Sequence, residues 1–241
     1  PCPVKVMRDV VDKMHMSEIT ITYGQTEASP ACTMTTVDDP LEIRVNTVGK
    51  EMPFMETKIV DPDTGEDLPD GTPGEFVVRG YNVMKGYYKM PEATAAAIDK
   101  DGWLHTGDLA IRDDNGYYRI TGRIKDMIIR GGENFFPKEI EDLIYTHPDV
   151  VDVQIVGVPS EKYGEEAYAF VIKRPGSSVT EKDIQTYVAN NMARHKVPSY
   201  VEFIDQMPMT ASGKIQKFVL RDMAKAKLNR ESSFVFKDEN E

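Results

Sequence analysis

The chain has 241 residues, a length that fits one or two domains, and 40% of them are hydrophobic, enough for a packed core rather than disorder. Its 40 acidic and 29 basic side chains give a net charge of −11, which without a basic stripe excludes a nucleic-acid binder but still allows a locally basic nucleotide site. No apolar run reaches the roughly 20 residues a membrane helix needs. Cys2 and Cys32 are the only cysteines, no CxxC occurs, and both are expected as free thiols in a reducing compartment. The expected location is the cytoplasm. A start at Pro1-Cys2-Pro3, with no initiator methionine, predicts that the natural N-terminus lies upstream.

Residues 4–16 carry Val6, Val10 and Met14 at helical spacing and predict an amphipathic helix. Ile19–Tyr23 reads as a short strand that stops at Gly24. Residues 45–125 are punctuated by turn sequences such as Asp61-Pro62-Asp63-Thr64-Gly65, Pro69-Asp70-Gly71 and Asp113-Asp114-Asn115-Gly116. Between them lie β-like runs at Thr57–Val60, Gly74–Arg79 and Tyr117–Thr121, a pattern of hairpins.

The pattern changes near Lys125. Asp126–Ile129 reads as a strand, and Pro137 opens a helix with Ile140, Leu143 and Ile144 on its apolar face. Val150–Val158 and Ala167–Lys173 follow as strands. Thr180, with Asp183 three residues on, caps a second helix that buries Ile184, Tyr187 and Val188. A strand at Tyr200–Ile204 and a basic helix at Lys217–Lys225 complete the set. The expected fold class is α+β: a β-rich stretch over 1–124, a compact α+β domain over 125–230 and a frayed polar tail over 231–241.

Four stretches carry chemistry. In YGQTE (Tyr23, Gly24, Gln25, Thr26, Glu27) a turn with free N–H groups, a hydroxyl and a carboxylate can hold a phosphate and a divalent cation, or can simply close an edge strand. In HTGDL, Gly107 permits a tight turn that projects Asp108, whose carboxylate fits a ribose diol or a helix cap. His105 suggests a general base, yet a satisfied polar histidine is the expected role. In TGRIKDMIIRGGENFFPKEIE, Arg123 ends a strand, Lys125 marks the change of composition, and Gly131-Gly132 admit close approach of another molecule or form a hairpin turn. Glu139 and Glu141 are expected on a solvated helix face. In MTASGKIQK, a flexible Thr/Ser/Gly loop delivers Lys214; it is no Walker motif, because Ile215 stands where a hydroxyl is required.

Taken together, the order and wording of these stretches resemble the adenylate-forming family, the AMP-forming acyl-CoA synthetases. YGQTE is similar to that family's YGxTE motif, GEFVVRGYNVMKGYY (Gly74–Tyr88) to its GEL…GY segment, and WLHTGDL to its TGD motif. GRIKDMIIRGGENFFPKEIE is similar to its hinge segment and PMTASGKI to its catalytic-lysine loop. The wording is closest to medium-chain, fatty-acid-type members.

The resemblance implies that residues 1–124 are the last part of a large nucleotide-binding domain and 125–230 a mobile C-terminal domain. It implies the substrates ATP, a carboxylic acid and coenzyme A, with Mg²⁺ as cofactor. Tyr23 would pack against adenine, with Gly24 and Gln25 beside it. Thr26 would contact the α-phosphate, and Glu27 would hold the metal. Asp108 and Arg123 would face one another across a ribose-sized gap. Lys214 would bridge the carboxylate and the α-phosphate, Lys125 would be the hinge, and Gly131, Gly132 and Glu133 would border the pantetheine arm. The family's phosphate loop, which lies upstream of YGxTE, is absent from these 241 residues. The expectation is therefore a C-terminal piece whose partner is the missing N-terminal part of the same enzyme, inactive by itself. A non-catalytic binding fragment and an adenylating enzyme with a carrier-protein acceptor are the alternatives.

Overall fold

The computed structural model describes the backbone of residues 4–238 and the side chains of residues 4–229. The chain divides into two compact units, Pro1–Lys125 and Asp126–Glu241. Cys2 lies outside the described residues, and Cys32 is a buried free thiol.

The first unit opens with α1 (Val4–Met14). Its phase differs from the expected one: Met7 is buried, while Val6 and Met14 are exposed. Apolar residues at 4, 6, 7, 10, 11 and 14 allow more than one stripe, and packing against α2 (Leu41–Asn46) selects the one through Met7. Strands β1 (Thr22–Tyr23), β2 (Thr33–Met34) and β3 (Lys50–Glu51) form a small antiparallel sheet in that order. The first of these is shorter than the run Ile19–Tyr23, because the Ile21 N–H donates to Thr35 Oγ1 instead of joining a ladder.

A four-stranded antiparallel meander follows: β4 (Met55–Val60), β5 (Gly74–Gly80), β6 (Leu104–Arg112) and β7 (Tyr118–Arg123), with α3 (Pro91–Ala97) between β5 and β6. Its turns are built as their composition predicts, Asp61 and Asp113 each accepting two backbone N–H groups from the residues just after them. Tyr23, Phe76 and Tyr118 stack edge to face through the core, with centroids 5.2 and 5.0 Å apart. The nine-residue β6 was not legible, since HTGD reads as a turn. Gly107, at φ +70°, lets the strand continue through that sequence, and the register shifts on both of its edges.

A 3₁₀ turn, Ile124–Asp126, spans the division of the chain, and the strand expected at Asp126–Ile129 starts two residues later, as β8 (Ile128–Arg130) of a hairpin with β9 (Glu133–Phe135). Then come α4 (Pro137–Tyr145), β10 (Val150–Ser160), β11 (Gly164–Lys173), α5 (Glu181–Asn191), β12 (Tyr200–Phe203) and α6 (Lys217–Asp238). Strand β11 is central, pairing antiparallel with β10, parallel with β12 and through Gly164 with β8. Alternate side chains of β10 and β11 serve opposite faces. Val153, Ile155, Ala167, Ala169 and Val171 meet Ile140 and Ile144 of α4 and Ile184 and Val188 of α5. Val156, Val158, Tyr168 and Phe170 meet Leu220 and Ala224 of α6. Burial on both faces explains why these strands read as continuous apolar runs.

Two expectations fail here. Helix α6 runs to Asp238, not Lys225, so the tail expected from residue 231 is helical as far as 238, because residues 224–236 contain no glycine or proline to stop it; residues 239–241 lie outside the described residues. Glu141 does not face solvent. Its Oε1 accepts from the Ile155 N–H on the edge strand β10 at 2.8 Å and from Lys217 Nζ at 2.7 Å, and its side chain is 12% exposed. Glu139 pairs with Lys196 at 2.6 Å and stays half-exposed.

Replacing Glu141 by Leu leaves the Ile155 N–H without its acceptor and the Lys217 ammonium with only the Ile155 carbonyl, so β10 and β11 amides should lose about 1–3 kcal/mol of protection in hydrogen exchange. The amides of β5 and β6 serve as the internal control. The capping box of α5, in which Thr180 accepts from the Asp183 N–H and Asp183 accepts from the Thr180 N–H, sets a second expectation. Thr180→Ala should cost about 1 kcal/mol in chemical denaturation, and Thr180→Ser should recover most of it.

Candidate nucleotide site

The segment after β1 folds back on itself. A Cβ on Gly24 would stand 1.7 Å from the Pro30 carbonyl oxygen, so only glycine fits where the strand turns away. Thr26–Ala28 form a 3₁₀ turn, Ser29 takes the left-handed conformation at φ +49°, and the chain returns with the Cys32 N–H donating to the Tyr23 carbonyl at 2.7 Å. The stretch after β5 holds this turn from outside. Asn82 Nδ2 donates to the carbonyls of Ala28 and Ala31, the Met84 N–H donates to the Glu27 carbonyl, and the Tyr87 hydroxyl donates to Glu27 Oε1 at 2.9 Å. The last bond raises the Tyr87 pKa, because the phenol is donating to a carboxylate. Thr26 is exposed, while Gln25 and Glu27 are half-buried. Asn82 and Tyr87 were not singled out from sequence, although both lie in Gly74–Tyr88; nothing local marks them as supports for a turn more than fifty residues earlier.

Asp108 is the electrostatic centre of the first unit. It is 6% exposed, and both of its oxygens are engaged: Oδ2 accepts from the Tyr23 hydroxyl at 2.8 Å and Oδ1 accepts from Arg123 Nε at 2.9 Å. Asp108 and Arg123 are cross-strand partners on β6 and β7, so they face one another in direct contact and not across a ribose-sized gap. Strand pairing sets that separation. The Arg123 side chain is 57% exposed, and its terminal nitrogens have no partner among the described residues. Tyr23 is 8% exposed and edge-on to Phe76, so its hydroxyl is what it presents to Asp108. Burial, reinforced by the Asp108 charge, raises the Tyr23 pKa and pushes the Cys32 thiol up to about 12.

His105 is held as a structural polar group. Its Nδ1 lies 2.8 Å from Glu75 Oε2, Nε2 lies 3.8 Å from Asp99, and the other Glu75 oxygen accepts from the Gly107 N–H. That last bond fixes the bulge that aims Asp108.

In the second unit, Gly131 (φ +61°) and Gly132 (φ +88°) are the two central residues of the β8–β9 turn, with Arg130 paired to Glu133. Positive φ at both positions is what a two-residue hairpin of this type demands. A Cβ on Gly132 would meet nothing within 4 Å, so the turn is open on that side, and Glu133 is exposed beside it. Lys125 is an exposed residue of the 3₁₀ turn at the division of the chain. Lys214 is exposed, and its ammonium has no partner among the described residues. The segment that carries it is a tight hairpin closed by the Met209–Ile215 bridge.

Among the described residues, no three His, Cys, Asp or Glu side chains gather as a metal cage. Glu27 fits the other mode, in which one carboxylate and phosphate oxygens share a Mg²⁺ ion. No described helix is long and apolar enough to cross a membrane.

Known proteins match this arrangement. The family model for the AMP-binding enzyme covers residues 1–88, and that for the AMP-binding enzyme C-terminal domain covers residues 139–214. The chain is 54% identical over 233 residues to the putative acyl-CoA synthetase YngI of Bacillus subtilis, covering 97% of this chain and 42% of that protein. It is 42% identical over 229 residues to the mitochondrial medium-chain acyl-CoA ligase ACSF2 of Bos taurus, covering 95% and 37%. The crystal structure of ATP-bound MatB from Rhodopseudomonas palustris superposes with a TM-score of 0.86 at 37% identity, covering 92% of this chain and 43% of that one. The chain thus spans less than half the length of each. With both family models matched in order along one chain, residues 1–88 and 139–214, the chain belongs to the AMP-binding enzyme family.

Proposed function

We propose that the chain forms the later part of an AMP-forming acid–thiol ligase, a fatty acyl-CoA synthetase that activates a carboxylate with MgATP and passes the acyl group to coenzyme A. The observation that carries this reading is the fixed Asp108 carboxylate beside the half-free Arg123 guanidinium. Each carboxylate oxygen keeps a second lone pair, and Arg123 keeps its terminal N–H groups, so a ribose diol can bond to both. The names of the two relatives, acyl-CoA synthetase and medium-chain acyl-CoA ligase, support the acyl substrate, and the ATP-bound neighbour supports the nucleotide. The identity to a bacterial relative supports a cytoplasmic enzyme, whereas the bovine relative is named mitochondrial.

The residues then take these parts. Tyr23 fixes Asp108 and borders the adenine, Gly24 and Gln25 shape the approach, and the exposed Thr26 hydroxyl meets the α-phosphate. Glu27 would hold Mg²⁺ together with phosphate oxygens, and the ion neutralises phosphate charge when bound. In the first step a carboxylate oxygen attacks the α-phosphorus and pyrophosphate leaves. Lys214, with no partner of its own, stabilises the charge that develops there. At ~4 Å and an effective dielectric constant of ~20, one full charge contributes roughly 4 kcal/mol, about a thousandfold in rate. In the second step the thiol of coenzyme A attacks the acyl carbon and AMP leaves. The open turn at Gly131-Gly132, with Glu133 beside it, borders the pantetheine arm, and Lys125 is the hinge of the second unit.

In the full-length enzyme, Lys214→Ala should lower pyrophosphate release by about a hundred- to a thousandfold over a panel of fatty acids. Thioester formation from supplied acyl-AMP should be nearly unchanged, as should the thermal midpoint. Equal loss in both half-reactions would show Lys214 to be structural. The 241 residues alone, lacking an upstream phosphate loop, should form no acyl-CoA from ATP, acid and coenzyme A; turnover by the purified chain would contradict the division of labour proposed here.

A further inference from the structure

One residue holds the backbone of Lys214 from both ends. The Thr210 N–H donates to the Lys214 carbonyl at 2.8 Å, and the Lys214 N–H donates to Thr210 Oγ1 at 3.1 Å. The Gly213 N–H donates to the Thr210 carbonyl at 2.9 Å, and Gly213 adopts φ +80°. This is a three-residue hairpin loop, a turn followed by a left-handed glycine. Such a loop needs its glycine but not a threonine at its first position. Here the hydroxyl takes the lysine N–H and also lies 2.9 Å from Ser212 Oγ.

The base of the hairpin is anchored independently. Met209 and Ile215 form a bridge, the Gln216 N–H donates to the Pro208 carbonyl, and Ile215 packs on the cluster of Met207 and Leu220. Lys217 then ties the first turn of α6 to Glu141 on α4 and to the Ile155 carbonyl on β10. The Thr210 hydroxyl is therefore not needed to keep the strands of the hairpin together. What it fixes is the peptide from which the Lys214 side chain springs.

We infer that Thr210 is a positioning residue for Lys214, its hydroxyl holding the lysine N–H so that only the four-carbon stem is left to be oriented in the adenylation step. The inference rests on the reading of Lys214 as the lysine of that step. A small misplacement of a charge-stabilising group is enough to cost about a hundredfold in rate, whereas substrate binding through other contacts is untouched.

The test uses the full-length enzyme with Thr210→Val, which keeps the shape and removes the hydroxyl, and Thr210→Ser, which restores it. Thr210→Val should lower the turnover number for adenylation by about ten- to a hundredfold. The KM values for ATP and acid, the rate of thioester formation from supplied acyl-AMP and the thermal midpoint should stay within about twofold or a degree or two, and Thr210→Ser should recover most of the turnover. Unchanged adenylation in Thr210→Val, equal loss in both half-reactions, or failure of Thr210→Ser to recover would each overturn the inference. Lys214→Ala run in parallel separates the two levels. If it is impaired in adenylation while Thr210→Val is not, the positioning role alone falls; if it is not impaired, the role of Lys214 falls and this inference with it.

Discussion

A carboxylate on a side chain only 8% exposed must be paired, because an isolated buried charge costs more than the fold can supply. In the first unit that requirement ties three elements together. Asp108 on β6 takes the Tyr23 hydroxyl from the small sheet and Arg123 from the next strand of the large one. Tyr23 in turn leans on Phe76, and Phe76 on Tyr118, so the carboxylate stands at the end of an aromatic row that runs through the core. Removing either partner would leave a buried charge or a buried phenol unmatched. The same contacts leave one side of Arg123 exposed, which is how a structural ion pair becomes a candidate binding group.

The second unit answers a different constraint. An edge strand leaves N–H groups without partners, and β10 is such an edge. Glu141 reaches from α4 to the Ile155 N–H and at the same atom takes Lys217, the residue that begins α6. One carboxylate thus covers a strand edge and sets where the last helix starts. Because the Lys214 hairpin immediately precedes that helix, its base inherits a fixed position from a contact that has no part in the chemistry.

Much of this was legible locally. The apolar runs of β10 and β11, the proline at the start of α4, the capping box at Thr180 and the Asx turns at Asp61 and Asp113 are each set within a few residues, and the structure has them as expected. Where the reading failed, the deciding partner was distant. Glu141 looked solvated because its acceptor role depends on Lys217, 76 positions away in sequence. The stripe of α1 was misjudged because α2 chooses it. HTGD looked like a turn because Gly107 and two register shifts allow a strand through a polar sequence.

The sequence by itself determined which chemical groups are present and in what order: the Tyr23–Glu27 turn, Asp108, Arg123, the paired glycines and Lys214, whose wording was enough to point to the family. Those motifs are short, and their backbone demands, such as glycine against the Pro30 carbonyl or positive φ at Gly131 and Gly132, are local. Only the tertiary structure decided how each group is held. It put Asp108 and Arg123 in contact rather than apart, set Tyr87 and Asn82 behind the Glu27 turn, and bound Lys214 into a hairpin through Thr210. The physical reason is that hydrogen-bond partners are chosen by three-dimensional proximity within close-packed sheets and turns, and residue spacing along the chain does not carry that information across more than a few positions.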